Sequence, residues 1–291
     1  MSSRLVISSE ASVRVSSSET VGFYSDARVY DILHGPGTLD DLKMLERVER
    51  IAARAKGGRS GLAATLKQQR TWLEPACGSG RYLLAAAKRG RKVIGFDLEL
   101  GMIEYCNACA AKLDAVARKR CTFAVADMTD FAAITPAGTV DFAFNLINTI
   151  RHLPTDAAMI AHLKQARMAL RCGGVYVVGI SLSAYGLETA TEDVWSGKRG
   201  TTTVTQVVQY EPPVGARGGS RVERVFIVVT VKSAKGEQQM SSTYGLRTYS
   251  RAQWERVIER AGMRVLCTVD GDGHDHEPGA LGYAIWVLTA K

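Results

Sequence analysis

Glu74, Gly78, Gly80 and Asp97 are spaced so that they could cradle a nucleotide-like cofactor. They lie on a run, Trp72-Leu73-Glu74-Pro75-Ala76-Cys77-Gly78-Ser79-Gly80-Arg81, that ends an apolar stretch in an acid, pivots on two glycines and opens into the helical pattern Tyr82-Leu83-Leu84-Ala85-Ala86-Ala87. Glycine adopts the left-handed conformations of a tight turn and lets backbone N–H groups come close to a ligand. The same turn also joins strands to helices that bind nothing, so the loop gains its meaning from the residues downstream of it. Roughly 20 residues on, Val93-Ile94-Gly95-Phe96 ends in Asp97, the place where an acid meets ribose hydroxyls in βαβ nucleotide folds. A strand-final Asp can equally serve as a helix N-cap.

The third glycine of a dinucleotide fingerprint is absent, which disfavours NAD and FAD. Glu-x-x-x-Gly-x-Gly instead resembles the first motif of the class I S-adenosylmethionine (SAM) methyltransferases, and Glu74, Gly78 and Gly80 match it position by position. That resemblance implies SAM as cofactor, S-adenosylhomocysteine (SAH) as product and no metal. It implies cofactor contacts from Glu74, Ala76, Gly78, Gly80 and Arg81 in the loop, with Glu74 reaching the methionyl amine. Asp97 and Leu98 fall at the ribose, Asp127 beside the adenine amino group, Met128 on the ring, and Asn145 at the methyl-donor pocket. For Asp127 a cap or turn role is the structural alternative.

The segment Phe144-Asn145-Leu146-Ile147-Asn148-Thr149-Ile150-Arg151-His152-Leu153 bears on the acceptor. It lacks the Pro-Pro-aromatic pattern of enzymes that methylate exocyclic base amines. It also lacks a Pro-Cys pair, which disfavours attack by a cysteine on cytosine. It resembles the small-molecule branch that includes glycine N-methyltransferase and the sugar-amine N,N-dimethyltransferases. His152 is the candidate base, because imidazole titrates near neutral pH. The resemblance puts Tyr24 and Tyr30 in a segment that closes over the cofactor, the alternative being aromatic packing into the core. Gly271-Asp272-Gly273-His274-Asp275-His276-Glu277 is rich in metal-ligand types, but consecutive residues converge poorly on one ion, and a polar loop able to touch substrate is the simpler reading.

These residues need a scaffold. Strand-like runs Thr71–Glu74, Val93–Asp97, Thr122–Ala126, Val140–Leu146 and Val175–Ile180 alternate with helical patterns, which predicts a parallel sheet with helices on both faces. Thr155 reads as the N-cap of the helix before the fifth run, Met159, Ile160, Leu163 and Met168 as its apolar stripe, and Gly173-Gly174 as its stop. Phe23 to His34 and Asp40 to Ala55 read as helices ahead of the sheet. Beyond the fifth strand, Thr201–Tyr210, Arg221–Val231 and Gln238–Arg247 read as an antiparallel meander. Ser250-Arg251-Ala252-Gln253 is a capping box opening a helix, and strands Met263–Val269 and Gly282–Ala290 close the chain. That ending is similar to class I methyltransferases, which implies a Rossmann-like α/β sheet, mostly parallel with its last strand antiparallel, carrying an inserted β lid. The expected organisation is a flexible N-terminus (1–20), a helical cap (21–70), a SAM-binding core (71–182), the lid (183–248) and a C-terminal helix and strand pair (249–291).

At 291 residues the chain can bury a large core, and no apolar run is long enough to span a bilayer. Six sparse cysteines fit a reducing, cytoplasmic setting, and Cys106-Asn-Ala-Cys109 lacks the second pair a structural zinc site needs. The net charge of +8 would suit a polyanion. Its basic residues are dispersed over turns, however, and Gly215 to Arg221 reads as a hairpin loop more simply than as an RNA-binding tail. The expectation is a SAM-dependent methyltransferase, monomer or homodimer, acting on a small molecule, with an amine ahead of oxygen or carbon. The alternatives are a tRNA methyltransferase and a non-catalytic SAM-binding module.

Overall fold

The computed structural model describes residues 26–67, 69–213 and 220–291, with the side chains of 55–67 excepted. Tyr24, the N-terminal segment 1–20 and most of the Gly215 to Arg221 loop lie outside the described residues.

Helices α1 (Ala27–His34) and α2 (Thr38–Lys67) lead into β1 (Thr71–Pro75), α3 (Arg81–Lys88), β2 (Lys92–Asp97), α4 (Leu100–Ala111), the short α5 (Ala115–Arg118), β3 (Cys121–Val125) and β4 (Val140–Asn145). A 3-10 turn over Thr149–His152, then α6 (Asp156–Ala169) and β5 (Leu170–Leu182), complete the alternating part. The meander is β6 (Thr191–Arg199), β7 (Thr202–Glu211), β8 (Val222–Ser233) and β9 (Gly236–Arg247), followed by α7 (Arg251–Arg260), β10 (Met263–Val269) and β11 (Gly282–Ala290).

The main sheet has seven strands in the order β10-β11-β5-β4-β1-β2-β3. Its β1–β2, β2–β3, β1–β4 and β4–β5 pairs are parallel, while β11 runs antiparallel to both β5 and β10. The strand order reverses between β1 and β4, and in open α/β sheets ligands bind at the carboxyl ends beside such a switch point. Alternate residues of β1 bury in opposite directions: Trp72 belongs to the core cluster that includes Leu42, Leu45 and Leu83 of α2 and α3, and Leu73 to the one that includes Leu163, Trp254 and Val257 of α6 and α7.

Two details depart from the sequence reading. Helix α6 does not run to Gly173 but stops at Ala169, and the chain passes directly into β5. Gly174 is needed inside that strand instead, because a Cβ there would lie 2.9 Å from the Val140 carbonyl oxygen. Met168, read as part of the buried stripe, is 46% exposed, whereas Met159, Ile160 and Leu163 are buried.

The four-stranded lid, β6-β7-β8-β9, is antiparallel throughout. Its inner face buries Val204, Val208, Ile227 and Leu246 against Val29, Ile32 and Leu33 of α1. Contact between α1 and the lid is intimate: a Cβ on Gly197 would sit 1.9 Å from the Ile32 carbonyl oxygen. Thus α1 packs into the lid, while α2 packs onto the main sheet. No helix among the described residues is long and apolar enough to cross a membrane.

Candidate active site

After β1 the backbone turns through three left-handed residues, Ala76 (φ 48°), Gly78 (φ 52°) and Gly80 (φ 68°). The Cys77 N–H donates to the Phe96 carbonyl at 2.9 Å, and the Gly78 N–H donates to Asp97 Oδ2 at 2.8 Å. The other oxygen, Asp97 Oδ1, accepts from the Glu99 N–H at 3.1 Å. Asp97 is therefore not the N-cap of α4, a position held by Glu99; it ties the end of β2 to the loop. Gly78 must lack a side chain because Tyr30 Cε1 lies 2.9 Å from where a Cβ would stand. Gly80 is not on the cavity wall; it leads into α3, and a Cβ there would meet Cys106 Sγ at 2.8 Å.

A cavity of about 1200 Å³ extends from this loop to the inner face of the lid. Of the residues expected to touch cofactor, Glu74, Ala76, Gly78, Arg81, Asp97, Leu98, Asp127, Met128 and Asn145 all line it. Glu74 is 7% exposed, and burial raises its pKa well above the carboxylate range against the pull of the Arg81 guanidinium. Its Oε2 has no hydrogen-bond partner. Asn145 donates from Nδ2 to the Pro75 carbonyl at 2.8 Å, leaving its buried Oδ1 without a donor. Two orphaned acceptors here are costly unless a donor arrives, and a cationic amine is the kind of group that would supply one. Arg81 itself reaches away from them, its Nη1 donating to Thr38 Oγ1 at 2.9 Å.

Asp127 Oδ1 accepts from both the backbone N–H and the hydroxyl of Thr129, each at 2.6 Å, which holds its pKa low. The Met128 carbonyl is anchored by His162, whose Nδ1 lies 2.8 Å from it. A carbonyl only accepts, so Nδ1 carries the proton and Nε2 accepts from the Tyr176 hydroxyl at 2.7 Å. Burial keeps this imidazole neutral, its pKa lowered to about 4.

On the far side of the cavity His152 lies against Tyr244, ring centroids 5.0 Å apart. Burial, and next the adjacent Arg151 charge, hold its pKa below the usual imidazole value. Arg151, 3% exposed, donates through Nη2 to Glu223 Oε2 at 2.9 Å and through Nε to the Arg247 carbonyl at 2.9 Å, fastening the 3-10 turn to the lid. The chain reaches this turn through Ile147 (φ 57°) and Asn148 (φ 62°), a rare conformation for a β-branched residue. It is held there by the Ile147 N–H donating to Tyr283 Oη at 3.2 Å and by Asn148 Oδ1 accepting from the Ser181 N–H at 2.6 Å.

Several contributors are not evident in the sequence. Asp31 of α1 accepts from Ser79 Oγ (2.9 Å), Tyr105 Oη (2.7 Å) and Arg199 Nη2 (2.7 Å), joining glycine loop, α4 and lid at one carboxylate. His162 does have a signal in the sequence, as a histidine set among the apolar residues Met159, Ile160 and Leu163 of one helix. In the loop between β10 and β11, Gly271 lines the cavity, whereas His274 turns to α2, where Arg47 Nη1 lies 2.6 Å from its Nε2. No group of three metal-ligating side chains occurs among the described residues.

The sheet with its reversed last strand, the acid-glycine loop at the switch point and the two carboxylates ending adjacent strands together define the class I methyltransferase fold. Residues 73–174 match the family described as a methyltransferase domain, so the chain carries a methyltransferase domain. Among solved structures, it is similar to the sugar N-methyltransferase KedS8 of a Streptoalloteichus species, with 18% identity, 99% of this chain and 100% of that chain covered, and a TM-score of 0.66. It is similar to the CcbJ methyltransferase of Streptomyces caelestis, with 21% identity, 92% and 97% covered, and a TM-score of 0.64. It is also similar to the SAM-bound amino pentose methyltransferase CalS10 of Micromonospora echinaspora, with 20% identity, 84% and 91% covered, and a TM-score of 0.57. No curated protein sequence matches the chain.

Proposed function

We propose that the protein transfers a methyl group to an amine nitrogen of a small, sugar-like molecule. The observation that carries this reading is His152, an imidazole on the cavity wall whose pKa burial and Arg151 hold below the usual value, so that it is neutral at neutral pH. An amine reaches the site mostly protonated, and its nitrogen becomes nucleophilic once one proton leaves. A neutral imidazole is suited to accept that proton. Bound SAM supplies a methyl group already activated on a sulfonium. The protein's task is then alignment and exclusion of water.

Glu74 and Asn145 would receive the methionyl amine, Asp97 and Leu98 the ribose, and Asp127 and Met128 the adenine. Tyr30, lying over Gly78, would close this end. The lid and the 3-10 turn would form the acceptor side. KedS8 and CalS10 are named for action on a sugar nitrogen and an amino pentose, which supports the same acceptor class here.

Two measurements test the reading. SAH at a hundredfold excess over its dissociation constant should stabilise the protein by about 2.7 kcal/mol, seen as a rise of several degrees in Tm. Asp97→Ala should lose most of that rise, and an unchanged response would remove Asp97 from the site. A panel of amino sugars, free and nucleotide-linked, incubated with SAM should yield N-methyl products by mass spectrometry. Methylation of the matching hydroxyl sugars with the amines inert would refute an amine acceptor.

A further inference from the structure

The inner face of the lid is apolar in strict alternation, with Val204, Val208, Val225, Ile227 and Val229 no more than 2% exposed. Gln206 breaks the pattern. It lies between Val204 and Val208 on β7, faces inward, and is 4% exposed. Its Oε1 has no hydrogen-bond partner, and the residue lines the cavity. Among the described residues, the buried side-chain atoms without partners that belong to cavity-lining residues are Glu74 Oε2, Asn145 Oδ1 and Gln206 Oε1. The first two flank the glycine loop and suit the cofactor's amine. Gln206 is on the lid, on the other wall.

A glutamine placed in a row of valines loses the hydration of its oxygen on folding, and that oxygen gains no hydrogen bond from the protein in return. Valine or methionine would pack there without that loss, so the residue makes sense with a ligand donor in front of its oxygen. Its cross-strand neighbour Trp195 also lines the cavity and is 39% exposed. An indole face beside a hydrogen-bond acceptor matches a molecule with apolar C–H faces and O–H or N–H groups at its rim.

We propose that Gln206 and Trp195 form an acceptor subsite on the lid, in which Gln206 Oε1 accepts from a hydroxyl or amine N–H of a saturated, polyhydroxylated ring stacked on Trp195. Gln206 is then a specificity-determining residue, selecting acceptors that carry a donor at that point. The inference rests on the reading of this cavity as a methyltransferase site with a small-molecule acceptor.

Gln206→Met, which keeps side-chain length and removes the oxygen, tests it. In the ligand-free protein its Tm should equal or exceed that of the wild type, since an unpaired oxygen has been removed. The rise in Tm given by SAH should be unchanged. Toward the amino sugar that the wild type methylates best, kcat/KM should fall by on the order of 10- to 100-fold, mostly through KM. Gln206→Glu, which retains an acceptor oxygen, should recover part of the loss. A lower Tm for ligand-free Gln206→Met would show that the oxygen has a structural partner and overturn the proposal, as would an unaltered kcat/KM. If the wild type methylates no amino sugar, the proposed acceptor class fails by itself, and Tm of ligand-free Gln206→Met still decides whether the oxygen is unpaired.

Discussion

His152 carries its proton only at more acidic pH than an ordinary imidazole, because burial and Arg151 both disfavour the cation. As the proposed base it is available at neutral pH, and kcat/KM for an amine acceptor should decline only as pH falls through that lowered pKa. His152→Ala should cost on the order of 10²- to 10⁴-fold in kcat and remove the acidic limb of the pH profile. A variant that keeps the limb would assign it to another group. At this scale the turn after β1 was legible in the sequence, because the glycines of that short loop are dictated by backbone geometry and Asp97 closes it through the Gly78 N–H. Asp31 was not, since its three partners, Ser79, Tyr105 and Arg199, come from separate parts of the chain. Gly78 was read as a ligand approach, yet its immediate neighbour is the Tyr30 ring, a contact no spacing rule reveals.

At the scale of elements, one side chain of α1 ties that helix to two others. Asp31 holds it to the glycine loop through Ser79 and to the lid through Arg199. Asp31→Ala should weaken SAH binding by roughly tenfold or more in calorimetry, since hydrogen bonds to a charged group contribute about 1.5–3 kcal/mol each. The far-UV spectrum should be unchanged, because α1 is short and the two sheets persist; equal SAH affinity would show the latch to be dispensable. The main-sheet strands were legible because they are apolar on both faces. Strand β6 was not, since Thr191–Arg199 is an edge strand, exposed along most of its length, and carries Glu192, Asp193, Lys198 and Arg199 in place of an alternating pattern. The end of α6 was misread because Gly174 is required by the nearness of the Val140 carbonyl rather than by a helix terminus.

The whole molecule should be sensitive to acid through a group other than the proposed base. His162 is fully buried with a pKa of about 4, against 6.5 for a free imidazole. Between these values the unfolded chain binds a proton that the native state refuses, so stability falls as pH drops from about 6.5 to 4, by roughly 3 kcal/mol from this residue. The lowered carboxylate pKa of Asp127 acts in the same direction further into acid. Tm measured across that range should drop, and His162→Gln should flatten the slope even if it lowers Tm at pH 7; an unchanged slope would assign it to other groups. The overall topology was anticipated through the family resemblance, while the seating of α1 in the lid was not, because it depends on two backbones meeting. Gly197 admits the Ile32 carbonyl on one side of that helix, and Gly78 admits the Tyr30 ring on the other. Helix α1 thus acts as a gauge block between lid and loop, and its thickness fixes the clearance between them. Adding one methyl group at Gly197, which is not on the cavity wall, would reset the dimensions of the chamber without altering the chemistry of its lining.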